Sequence, residues 1–270
     1  MIGIGPVPVQ VVTIIAAVAL AWVTARLVAK RLPDVPYKAA GSMILDAVVW
    51  GLVAARLAYI AQWWEEYWAT PMAMIAIGDR GFSWWAGVLV AAAYIWRRTR
   101  LTQNLRGPVL AGVMAGVLAW LAAAGGLSLM QRSAPPLPDL QLATLDERPI
   151  SLTAYAGRPI VLNLWASWCP PCRREMPVFE QAQTEFPDVA FVMVNQGETA
   201  QQAQSFLKSE GLSLTDVLLD PGSEAMGTMG TRGLPTTLFF DAQGRLVDSH
   251  LGEITLPSLK DKLERRDFAR

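Results

Sequence analysis

Two cysteines separated by two prolines are the residues of this sequence whose types and spacing could do chemistry. The run Cys169-Pro170-Pro171-Cys172 holds both cysteines of the 270-residue chain. A thiolate at one position can attack a disulfide, and the second thiol can then resolve the mixed disulfide. Half of a zinc site is the alternative, but zinc takes four ligands, no second cysteine pair follows, and the one histidine, His250, is distant. The spacing therefore predicts a redox dithiol.

The dithiol lies between a predicted buried strand and a predicted helix. Residues 160–166 are a continuous apolar run, typical of a strand buried on both faces, and residues 172–185 repeat apolar side chains at helical spacing. The pattern also predicts strands at 140–145, 150–152 and 189–195, a helix at 201–210, a hairpin at 236–241 and 246–251, and a terminal helix at 256–265. This order predicts an α/β sandwich with a dithiol at a helix N-terminus.

The two sulfurs are expected to have different roles. Cys169 is predicted at the exposed N-terminal edge of the helix, where the helix dipole and free amides lower a thiol pKa, so it is the expected nucleophile. Cys172, in the first turn behind it, is the expected resolving thiol. Pro170 and Pro171 fix two φ angles and remove two amide donors near the sulfurs, so they are expected to influence the redox potential.

Three segments in order resemble the TlpA/ResA-like thioredoxin family of membrane-tethered thiol-disulfide reductases. They are PDLQLATLDERPISLTAYAGRPIV, LNLWASWCPPCRREMP and GLPTTLFFDAQGRLV, and the resemblance covers about residues 138–263. It implies a thioredoxin-like fold and reduction of protein disulfides, in some members those of apocytochrome c haem sites. It also implies a cis-proline at Pro235, which would hold the backbone of Leu234 against the dithiol as an edge for substrate pairing; only about 5–6% of X-Pro bonds are cis in general.

The same resemblance gives expectations for side chains around the dithiol. Glu175 matches a glutamate of the reductase branch that manages protons at the resolving thiol, with a pKa raised by partial burial; the alternative is a solvated residue that complements the helix dipole. Asn163 stands where many thioredoxins have a buried aspartate, and it cannot ionise. Trp168 is expected to shield Cys169 or to contact substrate, whereas Trp165 is expected in the core. His250 is expected at the surface.

The first 130 residues have the composition of a membrane domain. Apolar stretches run over about residues 7–29, 41–63, 82–96 and 108–130, and a spanning helix needs about 20 such residues. The third stretch is short, so a broken or re-entrant segment is an alternative there. The sequence predicts an α-helical transmembrane domain of about four spans at 1–130, a proline-rich linker at 131–138 and a thioredoxin-like domain at 139–270.

Charge predicts how this domain is oriented. Residues 1–130 hold 10 Lys and Arg against 5 Asp and Glu, and residues 131–270 hold 13 against 18, so +5 and −5 cancel. The basic residues cluster after the first and third stretches, which places those loops in the cytoplasm and both termini outside. The expected location is the inner membrane, multi-pass, with the thioredoxin-like domain in the periplasm, where disulfides are common. Neither half has a basic patch suited to nucleic acid.

Residues 46–89 resemble part of the prolipoprotein diacylglyceryl transferase family, through DAVVWGLVAARLAYIAQWW and GFSWWAGVL. Ala55-Arg56 matches the family, but Trp85 stands where its enzymes have a histidine, and the later Arg/Asn-rich signature has no counterpart. Lipoprotein diacylglyceryl transfer is therefore not expected. Gly112 and Gly116 form a G-x-x-x-G pattern that predicts close helix packing.

The position of the cysteines also constrains the electron path. The membrane half has no thiol and no evident flavin or haem motif, and the chain shows no nucleotide or metal motif, so no cofactor is expected. Electrons must come from another protein, and the resemblance implies a thiol-carrying membrane reductase. The other expected partners are periplasmic disulfide-bearing proteins and the lipid bilayer. A thiol oxidase with the same residues and a non-catalytic client-binding module remain alternatives.

Overall fold

The computed structural model describes residues 3–4, 7–33, 35–69, 71–75, 77–130 and 136–264. The chain forms two compact units, one of Ile2–Trp64 with Gly81–Arg132 and the other of Glu65–Arg80 with Ser133–Arg270. The second unit therefore contains a segment from the first half of the sequence.

The first unit contains four long helices and short connections. Its elements are β1 (Gly3–Ile4) and β2 (Val7–Pro8), which pair antiparallel, and then α1 (Val9–Lys30), α2 (Tyr37–Gln62), α4 (Trp84–Leu101), a 3-10 turn at Gln103–Leu105, and α5 (Arg106–Met130). The short helix α3 (Trp64–Ala69) belongs to the second unit from Glu65 onward. Within the described ranges, three helical stretches are long and apolar enough to cross a membrane: Val11–Lys30, Tyr37–Gln62 and Gln103–Gly126. The 18-residue α4 is not among them and ends with Arg98 and Arg100 in its last turn. A fourth span stays a prediction.

Glycines allow the helices of this unit to approach closely. A Cβ added at Gly112 on α5 would lie 2.5 Å from the carbonyl oxygen of Ala21 on α1, and one at Gly116 would lie 2.9 Å from that of Ala17. The prediction of close packing at the G-x-x-x-G pattern is confirmed.

Two polar side chains of α2 have partners within this unit. The hydroxyl of Tyr94 on α4 donates to Asp46 Oδ2 at 3.1 Å, and Arg56 Nη1 donates to the carbonyl oxygen of Gly81 at 2.8 Å. Each therefore bonds to a different part of the unit. Such contacts offset the free energy of placing a charged side chain in an apolar helix.

The second unit is built on a seven-stranded mixed sheet in the order β4-β3-β7-β6-β5-β8-β9. Its strands are β3 (Gln141–Thr144), β4 (Pro149–Ser151), β5 (Ile160–Trp165), β6 (Ala190–Gln196), β7 (Val217–Asp220), β8 (Thr236–Phe240) and β9 (Leu246–Leu251), and its helices are α6 (Pro170–Glu185), α7 (Ala200–Ser209), α8 (Glu224–Thr228) and α9 (Leu256–Leu263). The central strands β5 and β6 run parallel and are buried at every position. The predicted thioredoxin-like architecture is confirmed, although β7 and α8 were not predicted.

Apolar clusters cover both faces of the sheet. On one face, side chains of α6, α7 and α9 pack with residues such as Trp165 and Phe239. On the other, the 3-10 turn Leu152–Tyr155 and α8 pack with residues such as Leu162 and Leu238. Since side chains alternate along a strand, the odd-numbered positions of β5 face α6. This face carries the dithiol.

Candidate active site

The dithiol lies at the N-terminus of α6, directly after the turn that follows β5. Cys169 is the N-cap residue, the helix begins at Pro170, and Cys169 and Cys172 are joined by a disulfide with their Cα atoms 5.3 Å apart. A proline is well accommodated here because the first helical amides have no partner within the helix. The sequence placed both cysteines correctly along the helix.

The burial of Cys169 differs from the expectation. It was predicted at an exposed edge, but only 4% of the residue is exposed, and Cys172 is fully buried. In the disulfide state both belong to the apolar cluster that contains Trp165 and Met176. The physical reason is that sulfur without a charge packs as a small apolar group.

The peptide bond between Leu234 and Pro235 is cis, as predicted. Leu234 packs against the apolar cluster that contains both cysteines. The turn is held by the Thr236 hydroxyl, which donates to the Gly233 carbonyl at 2.7 Å, and by the Gly252 amide, which donates to the Pro235 carbonyl at 2.9 Å. These bonds fix the loop that precedes β8 beside the dithiol cluster.

Glu175, one helical turn after Cys172, is completely buried. The expectation was partial burial, and the alternative of a solvated side chain is wrong. Glu175 Oε1 accepts from Asn163 Nδ2 at 2.7 Å, and Oε2 accepts from the Ile254 amide at 2.9 Å. Burial raises the pKa of Glu175 from 4.5 to about 8, and the two hydrogen bonds lower it in part. In the disulfide state the carboxyl group therefore holds its proton at neutral pH.

Glu175 lies over a buried row of polar side chains on the sheet. Asn163 on β5 pairs with Thr237 on β8, and Thr237 pairs with His250 on β9, so the three lie side by side on one face. Asn163 Nδ2 also lies 3.2 Å from Thr237 Oγ1, while Asn163 Oδ1 has no hydrogen-bond partner among the described residues. The row supplies polar contacts inside an otherwise apolar interface.

His250 was expected at the surface, and this prediction is wrong. The residue is fully buried, and its Nε2 lies 3.1 Å from the carbonyl oxygen of Glu253. Burial lowers the pKa of His250 to about 4, so the ring is neutral at pH 7. The reason is positional: the side chain points to the same face as Thr237, into the layer between sheet and helices.

Glu198 is a site residue that the sequence did not suggest. Its carboxylate accepts from the amide of Ser167 at 2.7 Å, from the Ser167 hydroxyl, and from Asn195 Nδ2 at 2.6 Å. Glu198, which follows β6 in sequence, thereby fixes the turn that leads from β5 to Cys169. The one available signal was Gly197, whose φ of +73° marks a sharp turn at the end of that strand.

The two tryptophans near the dithiol differ in environment. Trp165 is fully buried in the core, as predicted, whereas Trp168 is 68% exposed. Trp168 and Ser167 line an open groove of about 640 Å³ whose opposite wall is formed by α7, including Gln202 and Phe206. An exposed indole beside such a groove suits contact with another protein.

The fold and the site together define a thioredoxin-fold protein with a redox dithiol. Residues 132–263 match the Redoxin family, and residues 1–127 match the prolipoprotein diacylglyceryl transferase family. The thioredoxin-like protein YneN of Bacillus subtilis is 34% identical over 131 residues, which is 47% of this chain and 76% of YneN. The thiol-disulfide oxidoreductase ResA of Halalkalibacterium halodurans is 33% identical over 125 residues, 46% of this chain and 70% of ResA.

Among solved structures, StoA from Bacillus subtilis is 27% identical, with a TM-score of 0.42 over 48% of this chain and 100% of StoA. The two curated relatives show the family: the chain belongs to the thioredoxin-like thiol-disulfide oxidoreductases. Both resemblances noted from sequence motifs are thus confirmed.

Proposed function

We propose that this chain is a multi-pass inner-membrane reductase that transfers electrons to disulfides of periplasmic proteins. The observation that carries the proposal is the buried carboxyl group of Glu175 one turn behind Cys172. A general acid or base is most effective when its pKa lies near the working pH, and a pKa of about 8 meets that condition. A module that only held clients would not need such a group.

The reaction begins on the reduced dithiol. The Cys169 thiolate attacks one sulfur of a substrate disulfide, forms a mixed disulfide and releases a substrate thiolate. Cys172 then gives its proton to ionised Glu175 and attacks Cys169, which closes the Cys169–Cys172 disulfide and releases the second substrate sulfur. Two electrons pass to the substrate. When a donor dithiol reopens the disulfide, Glu175 returns the proton to Cys172.

Two further residues form the surface on which the substrate lies. Leu234, which precedes Pro235, packs against the dithiol cluster, and an extended substrate chain would pair with its backbone. Exposed Trp168 supplies an apolar contact on the side of the groove. These contacts would hold the substrate disulfide in line with Cys169.

The proposed periplasmic location is argued from the distribution of charge, and the proposed electron donor from the positions of the cysteines. Basic residues cluster in the loops after the first and third apolar stretches, so the thioredoxin-like domain lies outside the cytoplasm. The membrane half has no cysteine, so a thiol-carrying membrane reductase must renew the dithiol. Apocytochrome c haem-site cysteines are one class of client.

Trapping of the mixed disulfide tests the proposal. A Cys172→Ser variant expressed in cells should accumulate disulfides between Cys169 and periplasmic proteins, separable on non-reducing gels and identified by mass spectrometry. A Cys169→Ser variant is the matched control and should trap none. Failure of Cys172→Ser to trap any periplasmic protein, or labelling of Cys169 from the cytoplasmic side, would contradict the proposal.

The redox potential separates a reductase from an oxidase. Equilibration of the purified chain with glutathione buffers should give a potential well below about −200 mV for a reductase, whereas a value near about −120 mV would indicate an oxidase.

The Glu175→Gln variant should keep a dithiol but reduce substrates more slowly, because general acid–base catalysis contributes about 10²–10⁴-fold to a rate.

A further inference from the structure

The segment Glu65–Arg80, between α2 and α4, belongs to the thioredoxin-containing unit and contacts α9. Asp79, at the end of the 3-10 turn Ile77–Asp79, is 1% exposed. Its Oδ2 accepts from the hydroxyl of Tyr67 at 2.8 Å and from that of Thr255 at 3.1 Å, and its carbonyl oxygen accepts from the Ser258 hydroxyl at 2.7 Å. The buried carboxylate of Asp79 is thus satisfied partly by Thr255, 176 positions away in sequence, and its carbonyl oxygen by Ser258, 179 positions away.

A second contact joins the same segment to α9. Lys260 Nζ lies 3.3 Å from Glu66 Oε1 and 2.7 Å from Glu185 Oε2, the latter at the end of α6. The side chains of Lys260 and Glu66 are only 16% and 19% exposed, so their ion pair is screened less than a surface pair, whereas Glu185 is more exposed. The segment is therefore held at two separate points on α9.

Thr255 connects this contact to the proton-carrying site. Thr255 is the N-cap residue of α9, but its side chain makes no capping hydrogen bond to that helix. Its hydroxyl donates to Asp79 instead. The preceding residue, Ile254, donates its amide to Glu175 Oε2 at 2.9 Å. Thr255 thus bonds to the segment, and its neighbour Ile254 bonds to Glu175.

We propose that Asp79 is a positioning residue for Glu175: by holding Thr255, it keeps the amide of Ile254 directed at the Glu175 carboxylate. A threonine N-cap ordinarily fixes the start of its own helix. Here the start of α9 depends on an acceptor supplied by the membrane half of the sequence. The inference rests on the proposed function, because Glu175 is its target, and it gives the segment between α2 and α4 a role in the redox site.

Loss of the Thr255 contact has a defined consequence for Glu175. The Ile254 amide stabilises the ionised carboxylate, so loosening it raises the pKa of Glu175 further. The free energy of a hydrogen bond to a charged group corresponds to a pKa shift of about one to two pH units. Partial loss of the bond from Ile254 should therefore shift the titration of Glu175 by about one unit. Among the described residues, Glu253 is the other charged group that acts on Glu175, and its negative charge raises the pKa of Glu175; Glu253 itself forms an ion pair with Arg174. His250 lies on the same face of the sheet as Asn163 and Thr237 and is neutral at pH 7.

The test is an infrared titration of the full-length oxidised chain in detergent. The protonated carboxyl band of Glu175, assigned as the band lost in Glu175→Gln, reports its ionisation directly. Thr255→Val keeps the shape of the side chain but removes the hydroxyl, and should move the midpoint of this band up by about one pH unit. Ser258→Ala removes the other α9 hydroxyl bonded to Asp79 and should leave the midpoint unchanged.

A double-mutant comparison assigns the effect to Asp79. Asp79→Ala, which removes the acceptor of the Thr255 hydroxyl, should raise the midpoint in the same direction, and the pair Asp79→Ala with Thr255→Val should shift it no further than Thr255→Val alone. An unchanged midpoint in Thr255→Val, or an equal shift in Ser258→Ala, overturns the inference. The proposed function fails separately, if the Cys172→Ser variant traps no client or the wild-type chain has no reversible dithiol couple, because the infrared titration does not require a substrate.

Discussion

Replacing Glu175 by glutamine removes an ionisable group from the interior behind the dithiol. The replacement should therefore change how the free energy of unfolding depends on pH. The folded-state pKa of about 8 lies above the ordinary value of 4.5. Between these values the unfolded chain has lost the proton and the folded chain has kept it. The contribution of Glu175 to stability is thus fully present below pH 4.5 and is lost as pH rises through 8.

His250 acts in the opposite direction over a lower range. Burial holds its pKa at about 4 in the folded chain, below the ordinary value of 6.5. Between these values the unfolded chain binds a proton that the folded chain does not, so stability is lost as pH falls from 6.5 to 4. The contributions of Glu175 and His250 therefore oppose each other between pH 4.5 and 6.5.

The magnitudes follow from about 1.4 kcal/mol for each pH unit between the two pKa values of a group. Glu175 should lower the free energy of unfolding by about 3 kcal/mol between pH 4.5 and 7, and by about 5 kcal/mol by pH 8. His250 should lower it by about 3 kcal/mol between pH 6.5 and 4. In the wild type the two contributions nearly cancel from pH 4.5 to 6.5, and stability falls from 6.5 to 8.

Thermal unfolding of the oxidised chain in detergent, followed by tryptophan fluorescence from pH 4 to 9, measures these differences. Glu175→Gln should gain stability over the wild type as pH rises from 4.5 to 8, while its reductase rate falls. His250→Gln should gain over the wild type only below pH 6.5. If the Glu175→Gln curve runs parallel to that of the wild type across pH 4.5–8, the buried carboxyl group is ionised in the folded chain and the proton-transfer role fails.

Three further experiments test other parts of the molecule. Gly112→Val should lower the thermal midpoint by an amount equivalent to about 1–3 kcal/mol, because its Cβ would lie 2.5 Å from a backbone oxygen of α1. Gly125→Val is the control and should change the thermal midpoint less, because a Cβ added at Gly125 meets nothing within 4 Å. Trp168→Ala should slow reduction of a protein substrate while leaving stability within about 0.5 kcal/mol, since the side chain is 68% exposed; Trp165→Ala should destabilise by about 3–5 kcal/mol. In proteoliposomes containing this chain alone, reductant supplied from the cytoplasmic face should not sustain turnover, and adding a thiol-carrying membrane reductase should restore it.

The elements that position the dithiol could be predicted because local sequence determines them. The buried run of β5, the helix that begins at Pro170 and the hairpin of β8 and β9 all follow from apolar spacing and turn residues. The short strand β7, Val217–Asp220, was not predicted. The cis bond at Pro235 was predicted from family motifs, since sequence spacing alone does not favour it.

The burial of the polar side chains could not be predicted from the chain alone. His250 has no local pattern that separates it from surface residues, and Glu198 has only the preceding Gly197 as a sign of a turn. Their burial depends on which strands and turns lie beside them. The contact of Asp79 with Thr255 joins positions 176 residues apart. Charged residues are rarely buried without partners, so composition argues for exposure wherever the partners are unknown.

The identity of residue 163 explains why one carboxyl group can carry the proton. Asn163 Nδ2 lies 2.7 Å from Glu175 Oε1, so an aspartate there would place two carboxyl groups in direct contact inside the core. Two such groups share one proton and titrate as a pair, with one pKa strongly raised. The amide instead donates a hydrogen bond that favours ionised Glu175, while burial favours the neutral form. These opposing effects keep the pKa of a buried carboxyl group near neutral pH, as the proposed exchange of a proton with Cys172 requires.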